Sequence, residues 1–131
     1  MKMDRIPTIL IVDDHQNDQE LVKTLFKRSF GGYIYTAFSI AEAEKHLQGV
    51  RFDVISLDGD MGLEYGYNLI PSIKKLQKHD PVIMMVSGNS RSIKIGIANG
   101  AHYAFDKHEI AKEVKLNEEF ELVPIRQSLS A

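Results

Sequence analysis

Short apolar runs alternate with amphipathic stretches along this chain, and that alternation constrains its fold more than any other feature. Thr8-Ile9-Leu10-Ile11-Val12 is closed by Asp13-Asp14, Val54-Ile55-Ser56-Leu57 by Asp58, and Val82-Ile83-Met84-Met85-Val86 by Ser87. Continuous apolar runs of this length suit strands buried on both faces, as in a parallel sheet covered by helices. Two further strands are expected, at Tyr33–Phe38 and His102–Phe105.

The stretches between the runs carry helix signals. From Gln19 to Phe30, Leu21, Val22, Leu25, Phe26 and Phe30 recur at helical spacing, with Asn17 or Asp18 as the N-cap and Gly31-Gly32 as the stop. Ser39-Ile40-Ala41-Glu42 forms a capping box and opens a helix to about Leu47. Asp58 to Gly66 contains three glycines and reads as a loop. A helix from Tyr67 to about Gln77 must keep Pro71 in its first turn. Ser87-Gly88-Asn89-Ser90 is a loop and cap before a short helix lined by Ile93, Ile97 and Ala98 and ended by Gly100. Beyond His108, Asn117 caps a last helix that Pro124 kinks or breaks. Strands alternating with helices define an α/β domain. One domain over residues 1–131 is expected, with a core at about 6–116 and a C-terminal helical segment at 117–131.

Composition narrows the function. The net charge is -2, from 16 basic and 18 acidic residues, which argues against nucleic acid as a direct partner. The clusters Lys23, Lys27, Arg28 and Lys74, Lys75, Lys78 fit solvated helix faces. There are no cysteines, so disulfides and thiolate metal sites are excluded. The apolar runs are too short to span a membrane, and Met1-Lys2-Met3-Asp4-Arg5 has no signal-peptide core. A cytoplasmic protein is expected.

In an open parallel sheet the carboxyl ends of the strands form the ligand-binding edge. Asp13, Asp14 and Asp58 follow strands and are therefore expected at that edge, with Ser87 and Lys107. Converging carboxylates repel one another and need a divalent cation, a proton or a lysine to coexist. A hard ion such as Mg²⁺, or Mn²⁺, suits oxygen ligands and bridges readily to phosphate. An Asp58 oxygen left free can attack a phosphoryl group, and Lys107 and Ser87 can contact the group once it is bound.

With these residues in this order, the chain resembles the receiver domains of two-component response regulators over about residues 6–116. The family pattern falls on Asp13 and Asp14, Asp58, Ser87 and Lys107, with Gly66, Gly88 and Gly100-Ala101 at further family positions. The resemblance implies a flavodoxin-like fold with strand order 2-1-3-4-5 and a phosphorylation switch rather than an enzyme, and with no output segment read in the sequence a stand-alone receiver is expected. It implies Mg²⁺ or Mn²⁺ held by Asp13, Asp14, Asp58 and the backbone carbonyl of Asp60. Asp58 is then the phosphoacceptor, Ser87 and Lys107 hold the phosphoryl group, and Gly88 and Asn89 border the pocket. The implied partners are a histidine kinase or histidine phosphotransfer protein and an unidentified downstream protein, with no nucleic acid and no membrane.

The sequence departs from the family at three places. Gly62 and His108 stand where proline is usual, and His108 makes a cis peptide after Lys107 improbable. Ala104 stands where the family carries a switching aromatic. Two rival readings follow from the same residues. A degenerate receiver would act by protein contact alone. A phosphatase of the haloacid-dehalogenase type would also use an Asp nucleophile and Asp60, but there the acidic pair trails the nucleophile. His15 borders the site, and His46, His79, His102 and His108 read as surface or structural.

Overall fold

Five strands form one parallel sheet in the order β2-β1-β3-β4-β5. They are β1 (Thr8–Val12), β2 (Tyr33–Ala37), β3 (Val54–Leu57), β4 (Val82–Ser87) and β5 (Tyr103–Asp106). The computed structural model describes residues 6–110. Between the strands lie α1 (Gln16–Phe30), α2 (Ile40–Gly49), α3 (Ile70–Leu76) and α4 (Ser90–Ala98), with a 3-10 turn at Gly66–Leu69 leading into α3. Residues 107–110 are helical.

Both faces of the sheet are covered, which is why β1, β3 and β4 read as unbroken apolar runs. Alternation along each strand sorts side chains into two cores. Leu10, Val12, Ile55, Leu57, Ile83 and Met85 meet α2, α3 and α4 on one face. Ile9, Ile11, Val54, Met84 and Val86 meet Val22, Leu25 and Phe26 of α1 and Ile110 on the other. The chain therefore passes from one face to the other around β1, whose neighbours are β2 and β3. The crevice at the carboxyl ends of β1 and β3 is the topological switch point of this fold.

Several expected boundaries move. Helix α1 starts at Gln16, a turn earlier than its apolar pattern, so Asn17 and Asp18 lie inside its first turn and do not cap it. The N-cap is His15, whose side chain makes no cap hydrogen bond; its backbone N–H donates to Asp13 Oδ1 at 2.9 Å. Gly31, at φ 69°, ends the helix and donates its N–H to the Lys27 carbonyl. The box at α2 is skewed by one residue. Ser39 Oγ accepts from the Glu42 N–H, and Glu42 Oε2 accepts from the N–H of Phe38 rather than of Ser39. Pro71 falls in the first turn of α3, but the segment before it is 3-10. Strand β5 begins at Tyr103 and not His102, and β4 extends through Ser87. Ile93 is buried on α4 while Ala98 is exposed and lines nothing. The expected Asn117 cap and Pro124 kink lie outside the described residues.

Candidate functional site

The carboxyl ends of β1, β3 and β4 bring the acidic residues together. The hydrogen-bond ladder runs one residue past the strands: the Asp13 N–H donates to the Ala37 carbonyl at 3.0 Å and the Asp58 N–H to the Val12 carbonyl at 2.9 Å. Both backbones are thereby fixed at the sheet edge. Asp13 is 2% exposed and Asp58 4%. Gln19, buried on α1, donates through Nε2 to the carbonyls of Asp13 and Ala37, tying the helix to this edge.

Lys107 closes the site from just past β5. Its Nζ lies 2.8 Å from Asp13 Oδ2, 3.3 Å from Asp58 Oδ1 and 3.4 Å from Asp18 Oδ2. Asp18, which the sequence marks only as a cap, is thus a third partner of this ammonium. Burial pulls the Lys107 ammonium toward neutrality. The Asp13 hydrogen bond and the charges of Asp58, Asp13 and Asp18 outweigh that and hold its pKa above the usual lysine range. Asp58 behaves oppositely. Burial first, and then the charge of Asp13, push its carboxyl up to about 6, against the opposing pull of Lys107 and the Asp60 N–H. One lysine does not neutralise this cluster.

The remaining charge has a place for a cation. Donor atoms of Asp13, Asp14, His15 and Asp58 lie within 4.8 Å of one another. Asp14 Oδ1 is buried and makes no hydrogen bond among the described residues. The His15 Nδ1 atom is 3.0 Å away, but not aligned as a hydrogen bond. A buried carboxylate oxygen without a donor is costly, and a divalent ion satisfies it. The donor set therefore fits Mg²⁺ or Mn²⁺.

The opposite wall is formed by β4 and α4. A Cβ on Gly59 would lie 3.0 Å from Ser87 Oγ and 2.5 Å from Ser92 Cβ, so the residue after Asp58 packs directly against both. Ser87 Oγ accepts the Asn89 N–H at 3.1 Å. Asn89 Oδ1 caps α4 by accepting the N–H groups of Arg91 and Ser92, and its Nδ2 donates to Asp60 Oδ2 at 3.1 Å. Asn89 thus joins the loop after β3 to the start of α4. Gly88 lies beneath His108, whose Nε2 would sit 2.6 Å from an added Cβ. The sequence leaves His108 as surface or structural; it is exposed, yet its ring covers Gly88. His46, His79 and His102 bond backbone groups of Thr36, Phe52 and Ile83, as structural histidines do.

The sequence profile of the response regulator receiver domain matches residues 9–118. The chain belongs to the response regulator receiver family. The receiver is 33% identical over 85 residues to the hydrogenase transcriptional regulatory protein HoxA of Bradyrhizobium diazoefficiens, covering 65% of this chain but 17% of that regulator. Among solved structures it resembles the chemotaxis protein CheY4 of Vibrio cholerae at 25% identity and a TM-score of 0.64, covering 86% of this chain and 98% of that one. It also resembles a CheY-like receiver domain protein of Methanospirillum hungatei at 18% identity and a TM-score of 0.65, covering 86% and 93%. The receiver fold, the strand order and a place in two-component signalling follow from these matches. No helix among the described residues is long and apolar enough to cross a membrane.

Ala104 of the receiver is buried beside Met85, its partner across the β4–β5 pair, while Tyr103 and Phe105 face the other core. No aromatic occupies the position usual for the family's switch. The Met85 side chain instead reaches the backbone of α4, where a Cβ on Gly96 would meet it at 2.4 Å. No peptide bond of the described residues is cis, including the one after Lys107.

Proposed function

We propose that Asp58 accepts a phosphoryl group from a histidine kinase or histidine phosphotransfer protein, and that the phosphorylated form is read by a partner protein. The observation that carries this reading is the convergence of Asp13, Asp14, Asp58 and Lys107 at the switch point, around a buried carboxyl pushed up to about 6. An Asp58 oxygen attacks phosphorus. The bond from phosphorus to the donor nitrogen breaks, and the electron pair leaves with the imidazole. Asp13, Asp14, Asp58 and the Asp60 carbonyl would hold Mg²⁺ or Mn²⁺, which would supply positive charge to the carboxylates and the phosphoryl oxygens. Lys107 positions Asp58 and then pairs with the phosphoryl group, and Ser87 donates its hydroxyl to it.

Labelling with acetyl phosphate tests the assignment. The chain should acquire one acid- and base-labile phosphoryl group on Asp58 when Mg²⁺ is present, and none in chelator. Absence of label under both conditions would leave a receiver that works by contact alone, and steady turnover of a generic phosphomonoester would favour a phosphatase.

The signal then travels through the loop after β4 and into α4. Three contacts support this route: Gly59 against Ser87 and Ser92, Asn89 bridging Asp60 to the α4 cap, and Met85 against Gly96. Ala104 has too small a side chain to carry the change, so β5 responds second. A two-state element is required, because phosphorylation shifts a population only by favouring one state. Hydrogen exchange with and without beryllofluoride should change across residues 87–100. Changes limited to the loop from Asp58 to Gly66 would refute the route.

A further inference from the structure

We propose that His15 supplies a nitrogen ligand to the cation site, so that the site discriminates for borderline transition ions over Mg²⁺. This rests on the reading of Asp13, Asp14 and Asp58 as the cation site. Oxygen ligands alone suit Mg²⁺ and Mn²⁺, whereas imidazole favours ions such as Fe²⁺, Ni²⁺ and Zn²⁺.

Three observations place His15 in the set. One donor atom of His15 falls within the same 4.8 Å span as those of Asp13, Asp14 and Asp58. Trans ligands around such an ion are about 4.2 Å apart, so the cluster needs only a small closure. The His15 Nδ1 to Asp14 Oδ1 separation is 3.0 Å without hydrogen-bond alignment. Adjacent ligands at about 2.1 Å from an octahedral ion stand about 3.0 Å apart, so this spacing is already that of two neighbouring ligands. Finally, His15 occupies the N-cap of α1 but its side chain does no capping. The ring is 70% exposed, so turning toward an ion costs little burial.

The test compares Zn²⁺ and Mg²⁺ binding by calorimetry in the wild type, His15→Ala and Asp14→Ala, with no phosphoryl donor. His15→Ala should weaken Zn²⁺ about tenfold or more and leave Mg²⁺ within about twofold. Asp14→Ala should weaken both. Imidazole resonances of His15 should shift as Zn²⁺ is added to the wild type at neutral pH. An unchanged Zn²⁺ to Mg²⁺ affinity ratio in His15→Ala, or unmoved His15 resonances in Zn²⁺-saturated protein, would overturn the proposal. The cation-site reading fails separately, when Asp14→Ala binds Mg²⁺ as the wild type does.

Discussion

Asp58→Asn should abolish phosphoryl labelling and, in chelator, stabilise the chain by about 3 kcal/mol at neutral pH. The first effect follows because the amide offers no anionic oxygen to attack phosphorus. The second comes from the displaced titration. Asp58 is moved from 3.8 to about 6, chiefly by burial and then by the charge of Asp13. Between those values the folded state binds a proton that the unfolded chain has released. The stability that Asp58 contributes in the wild type is therefore fully present below about pH 4, is lost as pH rises through about 6, and stays absent above it. Asparagine approximates the neutral acid in shape and charge, so the variant omits this loss. The gap between the two proteins should be small near pH 4 and reach its full size above about pH 6. Urea unfolding across that range measures it. Saturating Mg²⁺ should narrow the gap, because the wild-type site binds the ion more tightly and gains stability by mass action. A gap independent of pH would mean that ionised Asp58 is not strained by its surroundings. Wild-type labelling of the variant would overturn the phosphoacceptor assignment.

The same crowding explains how far sequence reading reached. The sheet was legible because β1, β3 and β4 are buried on both faces and show it as unbroken apolar runs. The Ser39 cap and the Gly31 stop were legible because their signals are local. The start of α1 was not. Its first turn, Gln16 to Gln19, is polar because it serves the site: Asp18 pairs with Lys107, and Gln19 bonds the carbonyls of Asp13 and Ala37. Apolar periodicity cannot register a turn whose contacts are polar. The pairing of Asp18 with Lys107 spans 89 residues and has no local trace. The acidic positions themselves were marked by their place after strands, and the roles proposed for them rest on resemblance to receivers. Asn89 was marked as a pocket neighbour; its bond to Asp60 and its cap of α4 depend on two loops meeting in space.

A second large effect is expected at Gly66, where Gly66→Ala should destabilise the chain by about 3 kcal/mol and impair labelling of Asp58. The cause is contact, not backbone angle. A Cβ at Gly66 would lie 1.9 Å from the Asp58 carbonyl oxygen and 2.9 Å from its carbonyl carbon. Both are backbone atoms, held by the bond from the Asp58 N–H to the Val12 carbonyl, so no side chain can swing aside. The loop is drawn shut there by the Gly66 N–H, which donates to the Gly59 carbonyl at 3.3 Å. Either that closure opens or the end of β3 shifts, and the second displaces the Asp58 carboxyl from Lys107. Gly49→Ala is the matched control. Gly49 lies in the last turn of α2 with nothing within 4 Å of an added Cβ. Alanine there should be neutral or stabilising by up to about 1 kcal/mol through helix propensity. Urea midpoints and acetyl phosphate labelling of the two variants separate a general cost of replacing glycine from a specific clash beneath Asp58. Equal behaviour of the two would remove the steric reason for a glycine at position 66. A destabilised Gly66→Ala that still labels at the wild-type rate would mean that the loop opens and leaves the end of β3 in place.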